Sequence, residues 1–130
     1  MIAGFASQKR PREILGIDAS ATVEKTREQI ARIARRTAEA IGVGRKLEDE
    51  EIVLLDEWNA GAYGVPDEKT LDAIRLCARL EGMITDPVYE GKSMAALIDL
   101  VGSGRIRPGS RVLYAHLGGQ PALNAYAQAF

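Results

Sequence analysis

Apolar and polar positions recur along this chain with two different periods, and the changes of period mark out its elements. Ile14-Leu15-Gly16-Ile17-Asp18 follows a polar turn around Pro11 and predicts a short buried strand ending at Asp18. Gly16 within it lets another backbone come close. Over residues 22–41 the period becomes helical. Val23, Ile30, Ile33, Ala34, Thr37 and Ile41 form one apolar face, Thr22 suits the N-cap, and Gly42 and Gly44 end the helix. Arg27, Arg32, Arg35 and Arg36 lie mostly off that face. Glu28 with Arg32 and Arg35 with Glu39 are spaced i,i+4, which favours a solvated charged face over an anion site.

After a charged linker at 46–51, Ile52-Val53-Leu54-Leu55 is a continuous apolar run, as in a strand covered on both faces. It leads into Trp58-Asn59-Ala60-Gly61-Ala62-Tyr63-Gly64, a glycine loop with two aromatic side chains that lines a pocket or forms a lid over the core. Pro66 suits a first helical turn, and Leu71, Ile74, Cys77 and Ala78 give the following helix its stripe up to Gly82. Residues 83–85 predict a short strand. Met94, Leu97, Ile98 and Val101 then mark a further helix, ended by Gly102 and Gly104. Val112-Leu113-Tyr114-Ala115 predicts the last strand, running into His116-Leu117-Gly118-Gly119-Gln120-Pro121 and a helix over 122–127. Strands alternating with helices predict an α/β layer with a largely parallel sheet and flanking helices. Ligands in such sheets gather beyond the C-terminal strand ends. That edge would carry Asp18, the 58–63 loop, residues 86–90 and residues 116–119.

Composition narrows the classes. The 130 residues allow one domain, with 46% apolar and 27% charged residues and a formal net charge of −1. This balance gives no electrostatic case for nucleic acid or an anionic membrane as partner, and no apolar run reaches bilayer length. One cysteine and one histidine leave a zinc site poorly supported and fit a reducing cytoplasm. The first residues (Met1, Ile2, Ala3, Phe5 and Ala6) suit a buried helix without an N-cap, and the expectation is a chain that starts partway through an element.

The densest chemistry lies at 82–94. Asp86-Pro87 is a turn signal, and Tyr89, Glu90, Lys92 and Ser93 follow at a helix start. Taken alone, Glu90 reads as a solvated first-turn acid favoured by the helix dipole. His116 at a strand end is a packing histidine, a ligand or a base. Cys77 is a small core residue.

Together the motifs carry a family likeness. Asp-Pro-Val-Tyr-Glu-Gly-Lys-Ser at 86–93, Ala-His-Leu-Gly-Gly at 115–119 and Pro121-Ala122-Leu123-Asn124 resemble the bacterial 1-aminocyclopropane-1-carboxylate (ACC) deaminases and the neighbouring D-cysteine desulfhydrases. Gly16-Ile17-Asp18-Ala19-Ser20, Thr26-Arg27-Glu28-Gln29-Ile30, Tyr63-Gly64 and Glu81-Gly82 extend the likeness over most of the chain. The resemblance implies part of the large domain of a tryptophan-synthase-β-like (fold type II) enzyme using pyridoxal 5'-phosphate (PLP). It implies a small amino-acid substrate: ACC opened to 2-oxobutanoate and ammonia, or D-cysteine cleaved to pyruvate, sulfide and ammonia. Tyr89 is then the catalytic candidate at the reacting substrate, as nucleophile or proton carrier, with Tyr63 as a second substrate-facing phenol. Glu90 would approach the pyridine nitrogen, with Leu117 and Gly118 also at the cofactor. The desulfhydrase branch typically has Thr at the positions of Glu90 and Leu117, so the deaminase branch leads, although the 58–63 loop is one residue shorter than in better-known deaminases.

The resemblance covers only the C-terminal part of the family. The PLP lysine, a serine nucleophile, the substrate carboxylate site and the phosphate loop lie upstream in relatives, and Lys92 does not replace that lysine. The expectation is therefore one incomplete α/β domain over 1–130 that is inactive alone. Its partner would be the missing N-terminal segment of the same enzyme; a non-catalytic interaction module is the alternative. Unpaired apolar strands such as 52–55 would also favour homo-oligomers or aggregation.

Overall fold

The computed structural model describes residues 1–8, 12–20 and 22–130, so the turn expected around Pro11 lies outside the described residues. The chain forms two units, Met1–Asp18 with Thr22–Leu55, and a second built mainly from Asp56–Phe130.

The first unit is a β-α-β arrangement with a short leading helix. Helix α1 (Ile2–Ala6) buries Ala3. Strand β1 (Leu15–Ile17) pairs in parallel with β2 (Val53–Leu55), Leu15 opposite Val53 and Ile17 opposite Leu55. The Asp18 amide extends the ladder to Leu55 O at 2.7 Å. Gly16 is needed for closeness: a Cβ there would lie 3.1 Å from both Leu54 Cδ1 and Val53 O. Ile52 and Leu54 are buried, so the exposed apolar strand expected at 52–55 is not found. Among the described residues the most exposed large apolar side chains are Leu113 and Leu117.

Helix α2 (Val23–Ala40) joins the two strands, with Thr22 at its N-cap position. Its buried face is Ala31, Ala34 and Ala38, packed with Ala3, Leu47 and Ile52. Ile33 and Ile41 are more than half exposed, which corrects the face expected from the larger side chains. Small residues let the helix approach its neighbours closely, and the longer aliphatic side chains are left at the margin. Arg35 also leaves the expected solvated face. Its Nε donates to Leu47 O at 3.1 Å and its guanidinium pairs with Asp49 rather than Glu39. Gly42, at φ +69°, ends the helix: its amide donates to Glu39 O and that of Val43 to Ala38 O. This is a Schellman closure, with Val43 returning to the core beside Ala38.

The second unit is an antechamber of loops around two packed helices, α3 (Glu68–Glu81) and α4 (Glu90–Gly102). Asp67, not Pro66, begins α3, accepting the Thr70 amide at 2.9 Å and the Thr70 hydroxyl at 2.6 Å. Burial pushes the Asp67 carboxyl up, but these hydrogen bonds win and hold it below its ordinary value. Ala73, Ile74 and Cys77 of α3 are buried, as are Met94, Ala95, Ala96 and Leu100 of α4. Ile98 and Val101, expected inside, are exposed, and alanines again take the contact. Gly91 sets the spacing: a Cβ there would come within 2.8 Å of Ile74 Cγ1 and Cδ1.

Residues 83–85 and 112–115 form no strand, which corrects both expectations. A strand exists only as part of a ladder, and among the described residues neither segment has a strand beside it. The closing segment, Gln120–Ala129, is a 3-10 helix interrupted at Tyr126 instead of the α-helix expected over 122–127. No helix among the described residues is long and apolar enough to cross a membrane.

Candidate functional site

Asp86 organises the site, and its side chain is fully buried. Its Oδ2 accepts the amides of Val88 at 2.8 Å and Tyr89 at 2.9 Å, and its Oδ1 accepts that of Glu90 at 2.9 Å. One upstream carboxylate thus satisfies the amides of the N-cap Tyr89 and the first helical residue Glu90, and that of Val88 just before them. The backbone carbonyl of Asp86 also takes the Gly91 amide, at 2.7 Å. Asp86 therefore fixes the direction in which Tyr89 and Glu90 leave the backbone. The Asp-Pro pair signalled a turn; nothing local in the sequence showed that the carboxylate would hold the helix start.

Glu90 is only 6% exposed, which overturns its reading as a solvated first-turn acid. Its Oε1 accepts the Leu117 amide and the Gly118 amide, the latter at 3.0 Å. Its Oε2 lies 2.7 Å from His116 Nδ1 but is buried and receives no aligned hydrogen bond. His116 Nε2 hydrogen-bonds Ile84 O at 2.9 Å, which fixes the ring with its other nitrogen beside Glu90. The glycines make this wrap possible. Gly118 and Gly119 take φ of +125° and +99°, and a Cβ on Gly119 would strike the Asp86 side chain. Leu117 contributes its amide here, while its side chain is exposed.

The two phenols also meet. Tyr63 and Tyr89 share a hydroxyl–hydroxyl hydrogen bond, with ring centroids 5.8 Å apart at 64°. Both side chains are exposed. The bond to Tyr63 is the main reason that the Tyr89 phenol is held above its ordinary value, helped by slight desolvation and nearby Asp86. Trp58 separates from Tyr63: it is buried, and its Nε1 donates to Asp99 Oδ2 at 3.0 Å.

Behind Glu90, the Tyr114 hydroxyl donates to Glu90 O at 3.0 Å and lies 2.8 Å from Ser93 Oγ. Burial pushes this phenol up to about 12, against the lowering effect of Ser93. The sequence pattern marks Tyr114 only as a strand residue, yet it supports the backbone that carries Glu90. Lys92 is also fully buried and donates to backbone carbonyls of the 58–64 loop.

The structure thus brings together Tyr63 with Tyr89, Glu90 with residues 116–118, and Asp86 with Gly119. Asp18 belongs to the other unit. What the cluster offers chemically is an exposed pair of hydrogen-bonded phenols and a buried carboxylate with one oxygen held by two amides and the other beside the His116 ring.

Residues 1–118 match the family described as pyridoxal-phosphate dependent enzyme. All 130 residues align at 59% identity with a 1-aminocyclopropane-1-carboxylate deaminase of Burkholderia vietnamiensis, covering 38% of that protein. Proteins of the same name from Methylobacterium nodulans and Rhizobium rhizogenes are each 58% identical over the whole chain, which covers 39% of each. The chain therefore spans about two-fifths of the length of these relatives.

Proposed function

The chain belongs to the pyridoxal-phosphate-dependent enzyme family, and from that premise we propose that it forms the C-terminal part of an ACC deaminase. In this reading the PLP lysine and phosphate loop come from a preceding segment of the same enzyme, and these 130 residues are inactive without it. The observation that carries the proposal is the Glu90 carboxylate: buried, gripped at Oε1 by two loop amides, and with Oε2 beside His116 Nδ1 but without an aligned donor.

Such a group fits PLP. A fixed anionic oxygen at the pyridine nitrogen favours the protonated ring. When bound, PLP supplies an electron sink for bond breaking at the substrate. Glu90 would hold negative charge toward the nitrogen of bound PLP, and the Leu117 and Gly118 amides keep its carboxylate oriented. A phenol already keeps its proton at neutral pH, and the bond to Tyr63 holds that of Tyr89 further above its ordinary value, which favours the role of proton carrier over that of nucleophile. Tyr63 orients the Tyr89 hydroxyl and offers a route by which its proton is replaced. Exposed Leu113 and Leu117 are apolar surface for the rest of the enzyme, or for a second copy, to cover. The reducing cytoplasm expected from cysteine usage remains part of this proposal.

The test is a chimera in which this chain replaces the C-terminal part of the Burkholderia vietnamiensis relative. The expected product from ACC is 2-oxobutanoate with ammonia. Sulfide from D-cysteine without turnover of ACC would assign the chain to the desulfhydrase branch. A folded, PLP-loaded chimera with neither activity would favour the non-catalytic module.

A further inference from the structure

Among the described residues Lys92 is the largest fully buried side chain, and the chemistry above gives it no task. Its Nζ donates to Asn59 O at 2.6 Å and to Ala62 O at 3.0 Å. Both acceptors belong to the loop that ends in Tyr63, thirty or more positions earlier in the chain. That loop has an unusual course. Ala60 takes φ +58°, rare for a residue with a Cβ, and Gly61 and Gly64 follow at +75° and +74°. Asn59 Oδ1 closes the turn by accepting the Gly61 amide at 2.7 Å. Carbonyls aimed inward at two positions of a tight turn need a donor between them. Lys92 provides it from the first turn of α4, two residues after Glu90 and three after Tyr89.

We propose that Lys92 is a positioning residue, which clamps the 59–62 loop to α4 and so sets the Tyr63–Tyr89 hydroxyl contact. One short helical segment then places all three groups: Tyr89 directly, Glu90 directly, and Tyr63 through the loop. That the clamped phenols face substrate rests on the proposed function; the clamp itself does not.

The experiment uses the 130-residue chain without PLP, with tyrosine labelled at Cζ so that each phenol is followed by NMR during an alkaline titration. Tyr89 of the wild type should titrate above an ordinary tyrosine. Tyr63→Phe should return it toward the ordinary value, and Lys92→Met should return it by the same amount. The double variant should add nothing further, because both changes break one contact. An unchanged Tyr89 in a folded Lys92→Met chain, alongside a shifted Tyr89 in Tyr63→Phe, overturns the proposal. Should Lys92→Met fail to fold, the wild type decides: the Lys92 amine protons must exchange slowly and show cross-peaks to the 59–62 loop. Exchange as fast as that of an exposed lysine overturns it too. Neither readout involves turnover, so a failed clamp and a failed deaminase assignment are distinguishable.

Discussion

The Glu90 amide donates to Asp86 Oδ1 across four positions, so one buried carboxylate orients the backbone that carries another. Replacing Asp86 by Ala leaves three amides at the start of α4 without their acceptor. Buried unsatisfied donors cost about 1–3 kcal/mol each and do not sum fully, so Asp86→Ala should lose about 3 kcal/mol or more. Urea unfolding of the chain checks this. A loss under 1 kcal/mol would mean that water replaces the carboxylate without cost.

Gly91 and Gly102 sit at opposite ends of α4 and should respond oppositely. A Cβ at Gly91 would lie 2.7 Å from Asp86 O and 2.8 Å from Ile74 side-chain atoms, whereas at Gly102 it meets nothing within 4 Å. Overpacking costs about 1–3 kcal/mol, so Gly91→Ala should destabilise by that amount. Gly102→Ala should be neutral or gain up to about 1 kcal/mol from helix propensity. Thermal unfolding of the two variants side by side tests the difference.

Acid should act on the first unit through Glu51. Hydrogen bonds from the Arg45 side chain and the Glu48 amide lower its carboxyl from 4.5 to about 2. A depressed carboxylate stabilises the fold above its unfolded value, and that contribution is lost as pH falls from 4.5 to about 2. The pair is partly exposed, so the contribution is only about 0.5 kcal/mol. Glu51→Gln should lower stability by that much at pH 7 and converge with the wild type near pH 2. Parallel stability curves over this range would contradict the assignment.

Alkali should act through Tyr114. Its phenol is raised to about 12, so the folded state favours the neutral form. The linked stability is intact below about 10, the ordinary unfolded value, and is lost as pH rises from there to about 12. Tyr114→Phe removes the bonds to Glu90 O and Ser93 Oγ, and should cost about 1 kcal/mol at pH 7 while removing this alkaline decline. Denaturant titrations at pH 7 and above pH 10 separate the two effects.

Much of this was legible in the sequence, and the misses share one cause. Helical periods located α2, α3 and α4 because the pattern is local. Their faces were harder to read: α2 and α4 carry both alanines and large aliphatics, and the close approach that selects Ala34 over Ile33 is a property of the packed pair. The strands expected at 83–85 and 112–115 failed because a ladder needs a neighbour that no local pattern supplies. The resemblance put Tyr63 near Tyr89 and grouped Glu90 with Leu117 and Gly118; the structure brings each set into contact, and their roles belong to the proposed function. The sequence shows Asp86 only as a turn former and Lys92 only as a motif residue, since their partners are backbone groups, which leave no side-chain signature in a sequence.

The most direct test of the central claim is a PLP titration of the purified chain, followed by absorbance and by intact mass after borohydride reduction. The account predicts no reduced adduct on a defined lysine, because these residues provide the Glu90 and tyrosine side of the site and not the covalent one. A saturable absorbance change with a single adduct would contradict it: the chain would then hold PLP covalently by itself, and the assignment of that lysine to a preceding segment would be wrong.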